Sequence, residues 1–373
     1  MNIEETFKID EVWYWRIRLP YKEPFTTSFG TEEKKETLIF QLKSGNIYGY
    51  GELVAGSTPA YSPETVETAL HVIKKFIIPC LKDEVSPIDI NMRLSWIRGN
   101  NMAKAAIEMA IWDAYSKMVD RPLYRVIGGV RRYADVGVSI GIKKDIDTLL
   151  KTIEYYLNEG YNRIKIKVKP GWDIEVLRMV RREYPDIMLT IDANASYELD
   201  KHKEILLGFD EFNLLYIEQP LRYNDIVGHM KLQGMIKTDI CLDESITDSH
   251  RAWEALEIGA ARVINIKPGR VGGIYETLRI HNLTRDRKIP VWIGGMLETG
   301  VGRAFNVSLA TLDNVRYPSD ISASSRYYNR DIITEPFTLE DGSKIKVRDG
   351  PGIGIEIDWG YLEEVCIKRG RLL

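Results

Sequence analysis

The strongest constraint on the fold is a short apolar stretch that recurs at a nearly constant interval from about residue 134 onward. Polar stretches of helical pattern separate these predicted strands, for example at 145–160 and 173–185. One residue at the end of each strand gives the series Ser139, Lys167, Asp192, Glu218, Asp243, Lys267, Gly295 and Asp320, with spacings of 28, 25, 26, 25, 24, 28 and 25 residues. A strand, a helix and two short loops fill about 25 residues, and right-handed crossovers keep such strands parallel. Eight repeats of this unit predict a TIM-like (β/α)8 barrel.

The sequence before and after the barrel predicts a second unit of α+β type. Its strand and helix patterns lie at 11–19, 36–45, 46–54, 63–79 and 102–119. Strands followed by helices are typical of a separate α+β domain. We therefore predict an α/β protein with a capping domain at 1–130, a barrel at 131–325 and a C-terminal segment at 326–373 that returns to the capping domain. The strand-like segments KIKVRDG and GIGIEI of the C-terminal segment would make that return.

Composition and charge exclude several classes of partner and cofactor. The net charge of −3 and the pI near 6.1 give no reason to expect nucleic acid or an anionic membrane. No apolar run approaches the ~20 residues of a membrane helix, and the polar N-terminus is unlike a signal peptide. Cys80, Cys241 and Cys366 are far apart and odd in number, which indicates a reducing, cytoplasmic setting. Because no histidines are spaced as a ligand pair, a bound metal would need oxygen ligands.

Three acids directly follow three consecutive predicted strands of the barrel. Asp192 follows MLTI, Glu218 follows LLYI, and Asp243 follows ICL. The C-terminal ends of barrel strands form the active-site rim, where three carboxylates repel each other unless a divalent cation lies among them. Oxygen ligands suit Mg²⁺, or Mn²⁺. A single acid here would more often cap the next helix, but three in register favour a metal site, and Glu is a poorer cap than Asp.

Lysines flank this group of acids. In the segment RIKIKVKPG, strict alternation places Lys165 and Lys167 on one face of a strand, while Lys169 lies beyond the strand in solvent. Lys167 ends the second strand and Lys267 ends the sixth, on opposite sides of the predicted metal. A buried lysine near a cation and another ammonium, such as Lys165, has a lowered pKa and can act as a base. These lysines would remove the α-proton of a metal-bound carboxylate substrate and form an enediolate.

At these residues the sequence resembles the enolase superfamily. The matching motifs, which span essentially the whole chain, are Lys165-x-Lys167, IDANASY with Asp192, YIEQPL with Glu218, LDESI with Asp243 and NIKPGRVGG with Lys267. Lysines on both sides are similar to the muconate-lactonizing subgroup. The stretches PFTTSFGT, GELVAGSTPAYSPET, WIGGMLETGVGRA and SDISASSRYY resemble o-succinylbenzoate synthases and N-acylamino acid racemases more narrowly. Dipeptide epimerases carry an Asp-x-Asp on the eighth strand, of which only Asp320 is present.

The resemblance implies roles for individual residues. Asp192, Glu218 and Asp243 would hold Mg²⁺, with Lys167 and Lys267 as the acid/base pair. It also implies a homo-oligomer, since barrels of this family are often dimers or octamers.

Several further residues are candidates for substrate contact. Phe25 and Tyr61 lie in loops, at 25–30 and 57–61, that would close over the mouth of the barrel and exclude water. Small residues at Ser139 and Gly295, with Met296 beside the latter, would leave space for a succinyl or acyl tail. Asn194 and Asn265 are candidates to support the metal ligands and Lys267, although helix capping is a close alternative.

Two reactions of one small-molecule carboxylate site are left open by the sequence. The first is the Mg²⁺-dependent dehydration of 2-succinyl-6-hydroxy-2,4-cyclohexadiene-1-carboxylate to o-succinylbenzoate, a menaquinone precursor. The second is racemisation of N-acylamino or N-succinylamino acids, and the same two-lysine site supports both reactions in one protein. Alternatives from other classes are a barrel that binds a ligand without catalysis and a Schiff-base aldolase that uses a lysine without metal.

Overall fold

The structure is a computed structural model that describes residues 5–27 and 30–373. The chain begins with a long antiparallel hairpin and a third strand: β1 (Glu11–Thr27), β2 (Gly30–Ser44) and β3 (Ile47–Glu52). The helices that follow are α1 (Val66–Val72), α2 (Asp89–Arg93), α3 (Asn101–Met118) and α4 (Leu123–Val126), with a π-helix at Ile73–Ile77 and a 3-10 helix at Ile78–Leu81 after α1. The helical pattern predicted at 63–79 is therefore three helix types in succession.

Helix α3 packs closely on β3 because the strand carries glycine at two positions. A Cβ atom at Gly49 would collide with the backbone carbonyl of Ala110, and one at Gly51 with that of Ala106. Alanines at the facing positions of α3 complete the contact. Glu52 directly follows Gly51, so this packing also fixes the position of a buried carboxylate.

The second unit contains seven parallel strands. After β4 (Tyr133–Asp135), these are β5 (Val138–Ile140), β6 (Arg163–Lys167), β7 (Met188–Asp192), β8 (Ile217–Glu218), β9 (Ile240–Leu242), β10 (Val263–Ile266) and β11 (Val291–Ile293). The intervening helices are α5 (Ile146–Asn158), α6 (Ile174–Glu183), α7 (Lys203–Gly208), α8 (Ile226–Gln233), α9 (Ser249–Glu257), α10 (Pro268–Val271), α11 (Ile274–Asp286) and α12 (Gly300–Leu309). Each strand pairs with its sequence neighbours, in the order β11-β10-β9-β8-β7-β6-β5.

The predicted eighth strand at 317–321 is not a regular strand. Instead, isolated parallel bridges join Val315 to Val291 and Ser319 to Val136. These bridges place the segment between β11 and the residues that precede β5, so they close the ring of strands. Pro318 lies between the two bridges, and a proline has no N–H to donate to a strand ladder.

The C-terminal segment returns to the first unit, and GIGIEI takes part in that return. Gly352 forms an isolated bridge with Pro122, and the N–H of Ile353 donates to Asp113 Oδ1 at 2.8 Å. The elements of the C-terminal segment are β12 (Lys344–Lys346), α13 (Trp359–Glu364) and β13 (Cys366–Arg371). β12, within KIKVRDG, pairs with β4, and the segment GIGIEI contains no strand. β13 pairs antiparallel with β1 and gives the capping sheet the order β13-β1-β2-β3. The boundaries of the three predicted segments, 1–130, 131–325 and 326–373, stay a prediction.

Two buried carboxylates of the first unit cap helices of the barrel. Glu52 accepts hydrogen bonds from the backbone N–H of Thr299 (3.1 Å) and of Gly302 (2.8 Å) at the start of α12. Glu108 of α3 accepts from the N–H groups of Ile274 and Tyr275 (both 2.9 Å) at the start of α11. The first turn of a helix has free N–H donors and a partial positive charge, so each carboxylate ties the two units together.

None of the helices in the described ranges combines the length and the apolar character that crossing a bilayer requires.

We expect the contribution of Glu108 to stability to depend on pH. Burial raises the pKa of Glu108 to about 7, above the value near 4.3 of an exposed glutamate. The folded protein therefore binds this proton more tightly than the unfolded chain does. The resulting stabilisation is full below about pH 4 and is lost as the pH rises through 7.

Glu108→Gln removes this titration. Between pH 5.5 and pH 7.5, the wild-type free energy of unfolding should fall by about 1–2 kcal/mol more than that of Glu108→Gln. Urea denaturation at both pH values measures the difference, with Glu175→Gln on the exposed face of α6 as the control. A difference that does not change with pH would contradict the expectation.

Candidate active site

The three strand-end acids lie at the C-terminal end of the barrel strands. Asp192 is the last residue of β7, Glu218 is the last residue of β8, and Asp243 directly follows β9. The strand register pairs Lys167 with Asp192 and Asp192 with Glu218. All three acids are almost completely buried, with exposed fractions of 1%, 0% and 0%.

These acids are distinct from the acids that cap the barrel helices. The helices α5, α6, α8 and α9 have their own aspartate caps, whose side chains accept from the first turn: Asp145, Asp173, Asp225 and Asp248. Asp192, Glu218 and Asp243 instead contact lysine and asparagine side chains of β6 and β10, Lys267 just after β10, and Arg270 of α10. The capping explanation therefore does not account for them.

Lys165 lies in the interior of the barrel among three carboxylates. Its Nζ atom is 2.7 Å from Glu218 Oε2, 3.3 Å from Asp192 Oδ2 and 2.5 Å from Asp320 Oδ2. The buried guanidinium of Arg163 also pairs with Asp320, at 2.5 Å. Asp320 therefore has both carboxylate oxygens engaged by cations of β6.

Lys167 and Lys267 each pair with a different acid. Lys167 Nζ donates to Asp192 Oδ2 at 2.6 Å, and Lys267 Nζ donates to Asp243 Oδ2 at 2.8 Å. Lys267 also donates to the hydroxyl of Tyr61 at 3.1 Å and lies over its ring. The two ammonium groups thus approach the acids from β6 on one side and from the end of β10 on the other.

Arg270 and Glu244 are members of the site that the sequence analysis missed. Arg270 donates to Asp243, to the hydroxyl of Tyr61 (3.1 Å) and to the backbone carbonyl of Asn265 (2.8 Å). It belongs to the one-turn helix α10 and lies three residues beyond Lys267 in NIKPGRVGG. Glu244 directly follows Asp243 in LDESI. Their positions within the quoted motifs were the available signal, although a charged residue two or more positions past a strand usually faces solvent.

Both predicted supporting asparagines contact this group of acids. Asn265 Nδ2 donates to Glu218 Oε1 at 2.8 Å. The backbone N–H of Asn194 donates to Asp192 Oδ1, and its side chain donates to Glu244 Oε1, both at 2.9 Å. Their role in supporting metal ligands stays a prediction.

Burial and neighbouring charges shift the pKa values of the acids in opposite directions. Burial, together with the charge of Asp192, raises the pKa of Glu218. Burial also acts to raise the pKa of Asp192, but Lys167 and Lys165 outweigh it and hold that pKa below its usual value. In the same way Arg163 and Lys165 lower the pKa of Asp320 to about 2, against the effect of burial.

The lowered lysine pKa that the sequence analysis expects beside a bound cation stays a prediction, and among the protein groups alone the pKa values of Lys165 and Lys267 are raised. Burial does act to lower the pKa of Lys165, but the charges of Asp320, Glu218 and Asp192 raise it well above its usual value. At Lys267 burial likewise acts to lower the pKa, but the interactions with Tyr61 and Glu244 raise it above its usual value. The carboxylates thus stabilise the ammonium form more strongly than burial destabilises it.

The acids do not form a ready-made metal cluster. Within residues 5–27 and 30–373, no group of three or more His, Cys, Asp or Glu side chains is arranged so that it could hold a metal ion. The carboxylates are instead turned toward lysine and arginine. Their donor chemistry nevertheless fits a hard divalent cation, since all three offer oxygen. Two buried oxygens beside them, Glu244 Oε2 and Asn265 Oδ1, also have no hydrogen-bond partner among the described residues.

A cavity of about 640 Å³ lies between the capping domain and the end of the barrel. It is lined by all three lysines and by five predicted substrate contacts, which are Phe25, Tyr61, Ser139, Gly295 and Met296. A cavity of this size is typical of small-molecule sites. The structure therefore brings the predicted substrate residues and the lysines to one space.

The first predicted lid has a different structure from the one expected. Residues 25–27 and 30 belong to the β1–β2 hairpin, in which Phe25 pairs with Glu32, so Phe25 lies on a strand and not in a loop. The alternation of the hairpin was hidden by its Thr, Ser and Gly content. Ser28 and Phe29 of this predicted lid lie outside the described residues. The second predicted lid, at 57–61, is irregular and lines the cavity.

Comparison with known proteins identifies both units. Residues 11–128 match the mandelate racemase / muconate lactonizing enzyme N-terminal domain, and residues 148–361 match the enolase C-terminal domain-like family. An o-succinylbenzoate synthase from Geobacillus kaustophilus is 48% identical over 358 residues, 95% of each chain. An N-succinylamino acid racemase from Thermus thermophilus is 44% identical over 353 residues, 94% of this chain and 95% of the relative.

Solved structures agree with this assignment. A member of the enolase superfamily from Listeria innocua superposes with a TM-score of 0.95 at 39% identity, over 98% of this chain and 99% of that one. A muconate lactonizing enzyme from Pseudomonas fluorescens shares the fold alone, with a TM-score of 0.90 at 22% identity over 97% of this chain and 100% of that one. The predicted fold class and resemblance are confirmed. The chain is a member of the enolase superfamily of enzymes, with the domains of the mandelate racemase and muconate lactonizing enzyme family.

Proposed function

We propose that the protein is a Mg²⁺-dependent o-succinylbenzoate synthase, with N-succinylamino acid racemisation as a second activity of the same site. The observation that carries this proposal is the placement of Lys167 and Lys267 in one cavity, each bonded to a different strand-end acid. Both reactions begin with removal of a proton from the carbon next to a carboxylate. Relatives with either name are 40–48% identical to the chain, so similarity supports both activities.

The two lysines divide the work differently in the two reactions. In the dehydration, Lys167 takes the α-proton and then gives a proton to the departing hydroxyl, which leaves as water. Lys267 stays protonated on the other face and offsets the negative charge that develops. In the racemisation, one lysine removes the α-proton and the other returns a proton to the opposite face, and their roles exchange for the other enantiomer.

Asp192, Glu218 and Asp243 are the residues that would hold Mg²⁺ or Mn²⁺. When bound, the ion supplies positive charge beside the substrate carboxylate and so makes the α-proton more acidic. Asn265 would orient Glu218, and Asn194 would orient Asp192 through its backbone N–H. Binding of the ion would replace part of the charge that Lys165, Lys267 and Arg270 now supply to these acids.

Dipeptide epimerisation is disfavoured by the surroundings of Asp320. This acid lies at the cavity, but Arg163 and Lys165 engage both of its oxygens. Its negative charge is therefore already offset by two cations of β6, which disfavours pairing with the ammonium group of a dipeptide. A small-molecule carboxylate remains the expected substrate. The proposal also includes a cytoplasmic location, which the three free cysteines support. It further includes a homo-oligomeric assembly.

We expect Mg²⁺ to stabilise the protein and to be required for turnover. A ligand that binds the folded state at 100 times its Kd adds about 2.7 kcal/mol to the free energy of unfolding, so Mg²⁺ should raise the Tm. Treatment with EDTA should abolish dehydration, and Mg²⁺ should restore it. Glu218→Gln should lose the Tm increase, whereas Asp248→Asn, at a helix cap, should keep it. Full turnover after EDTA, with no Tm change in Mg²⁺ at matched ionic strength, would refute the metal assignment.

Substitution of the two lysines separates the two activities. We expect Lys167→Ala to lower kcat of dehydration by about 10²–10⁴-fold, since it removes the base. For an N-succinylamino acid in D₂O, Lys167→Ala and Lys267→Ala should each keep α-proton exchange with one enantiomer only, and the enantiomer should differ between them. Exchange is followed by NMR.

The exposed Lys169, two residues beyond Lys167, provides the matched control for these variants. Lys169→Ala should behave as wild type. Exchange of both enantiomers in either site variant would contradict the opposed-lysine assignment. Covalent trapping by borohydride, with activity that survives EDTA, would indicate the Schiff-base alternative.

A further inference from the structure

Lys35 is a buried lysine that lines the catalytic cavity and has no part in the reaction described above. It lies on β2, where the alternation of the strand points Lys35 and Thr37 inward and Lys34 outward. Only 6% of Lys35 is exposed. It therefore brings an ammonium group to the wall that the capping domain contributes to the cavity.

The ammonium group of Lys35 has unused hydrogen-bonding capacity. Its Nζ atom donates to the backbone carbonyl of Met296 at 2.8 Å, and no other acceptor bonds it among the described residues. An ammonium carries three donors, and a buried donor without an acceptor is costly. Met296 belongs to the turn after β11 that also lines the cavity, so the remaining N–H groups are available to a ligand there.

The charge of Lys35 is incompletely offset by its protein neighbours. Glu52 is an acid whose charge interacts with Lys35, but its carboxylate accepts from Thr299 and Gly302 at the start of α12, and among the described residues it forms no ion pair with Lys35. Burial raises the pKa of Glu52 to about 7, so near neutral pH its negative charge is only partial. Glu298 lies beside the same turn, where Arg303 donates to its backbone carbonyl, but the Glu298 carboxylate forms no ion pair with Lys35 among the described residues.

We propose that Lys35 binds the free carboxylate at the end of the succinyl tail of the substrate. This inference rests on the proposed function, because both candidate substrates carry a carboxylate at the reacting carbon and a second one on the tail. The reacting carbon would lie between Lys167 and Lys267, with its carboxylate toward the strand-end acids, and the tail carboxylate would reach the ammonium of Lys35 beside Met296. Lys35 is then the residue that selects succinyl over neutral acyl groups.

A pair of substrates separates this role from a structural one. The probe is an N-succinylamino acid and the same compound with its tail carboxylate methylated to a neutral ester. Wild type should prefer the acid in kcat/KM by about 10- to 100-fold, as expected for a hydrogen bond to a charged group. In Lys35→Met the preference should fall to within about twofold of unity, since the ester already lacks the charge that Lys35 recognises.

Lys22 provides a matched control. It is also a lysine of the capping hairpin that donates to a backbone carbonyl of the barrel unit, Ser325 O at 2.9 Å, but it is exposed and does not line the cavity. Lys22→Met should keep the wild-type preference for the acid.

The outcomes are distinguishable. If Lys35→Met lowers kcat/KM for acid and ester by the same factor, Lys35 only holds the turn and the inference is overturned. If wild type itself shows no preference for the acid, the inference is overturned without any variant, which covers the case in which Lys35→Met does not fold. If wild type turns over neither these compounds nor the lyase substrate, the proposed function fails, and this inference fails with it.

Discussion

The site depends on mutual compensation of charge between buried acids and buried cations. Asp192, Glu218 and Asp243 are inside the protein, where an uncompensated carboxylate would be strongly destabilising. Lys165, Lys167, Lys267 and Arg270 supply the compensating charge. Because each cation contacts an acid that another cation also stabilises, removal of one member changes the environment of the rest. Effects of substitutions within this group are therefore not expected to add.

The same charge balance would let the site accept a divalent ion and a substrate carboxylate together, as the proposed function requires. An ion placed among the three acids adds two positive charges, and a carboxylate substrate adds a negative one. The ion would then repel the ammonium groups and weaken their ion pairs with the acids. The pKa of Lys267 is raised when the acids interact only with side chains of the protein. With an ion bound, the same physical effects act in the direction that favours a neutral base.

The sequence was most informative where a residue type and a strand end coincided. Period and alternation located β6 to β11 and identified the acids and lysines at their ends, because a charged residue directly after a buried strand has few structural explanations. The same argument failed at 317–321, where Pro318 leaves bridges instead of a strand. It also failed for Arg270 and Lys35. Arg270 reaches the acids from a one-turn helix, and Lys35 reaches the cavity from another unit across the fold, so no local pattern predicts either contact.

The capping domain is part of the site as well as its cover. Glu52 and Glu108 hold the first turns of α12 and α11, which follow the strands that carry the Gly295–Met296 turn and Lys267. The wall that carries Lys35 is therefore in a fixed position relative to the wall that carries the reacting lysines. The distance between these walls limits the length of substrate that can contact both. A succinyl tail is common to the two candidate substrates, whereas the chemistry at the reacting carbon differs. On the proposed roles, recognition of the tail by the cap and proton transfer by the barrel would be separable, so a single site could catalyse both dehydration and racemisation.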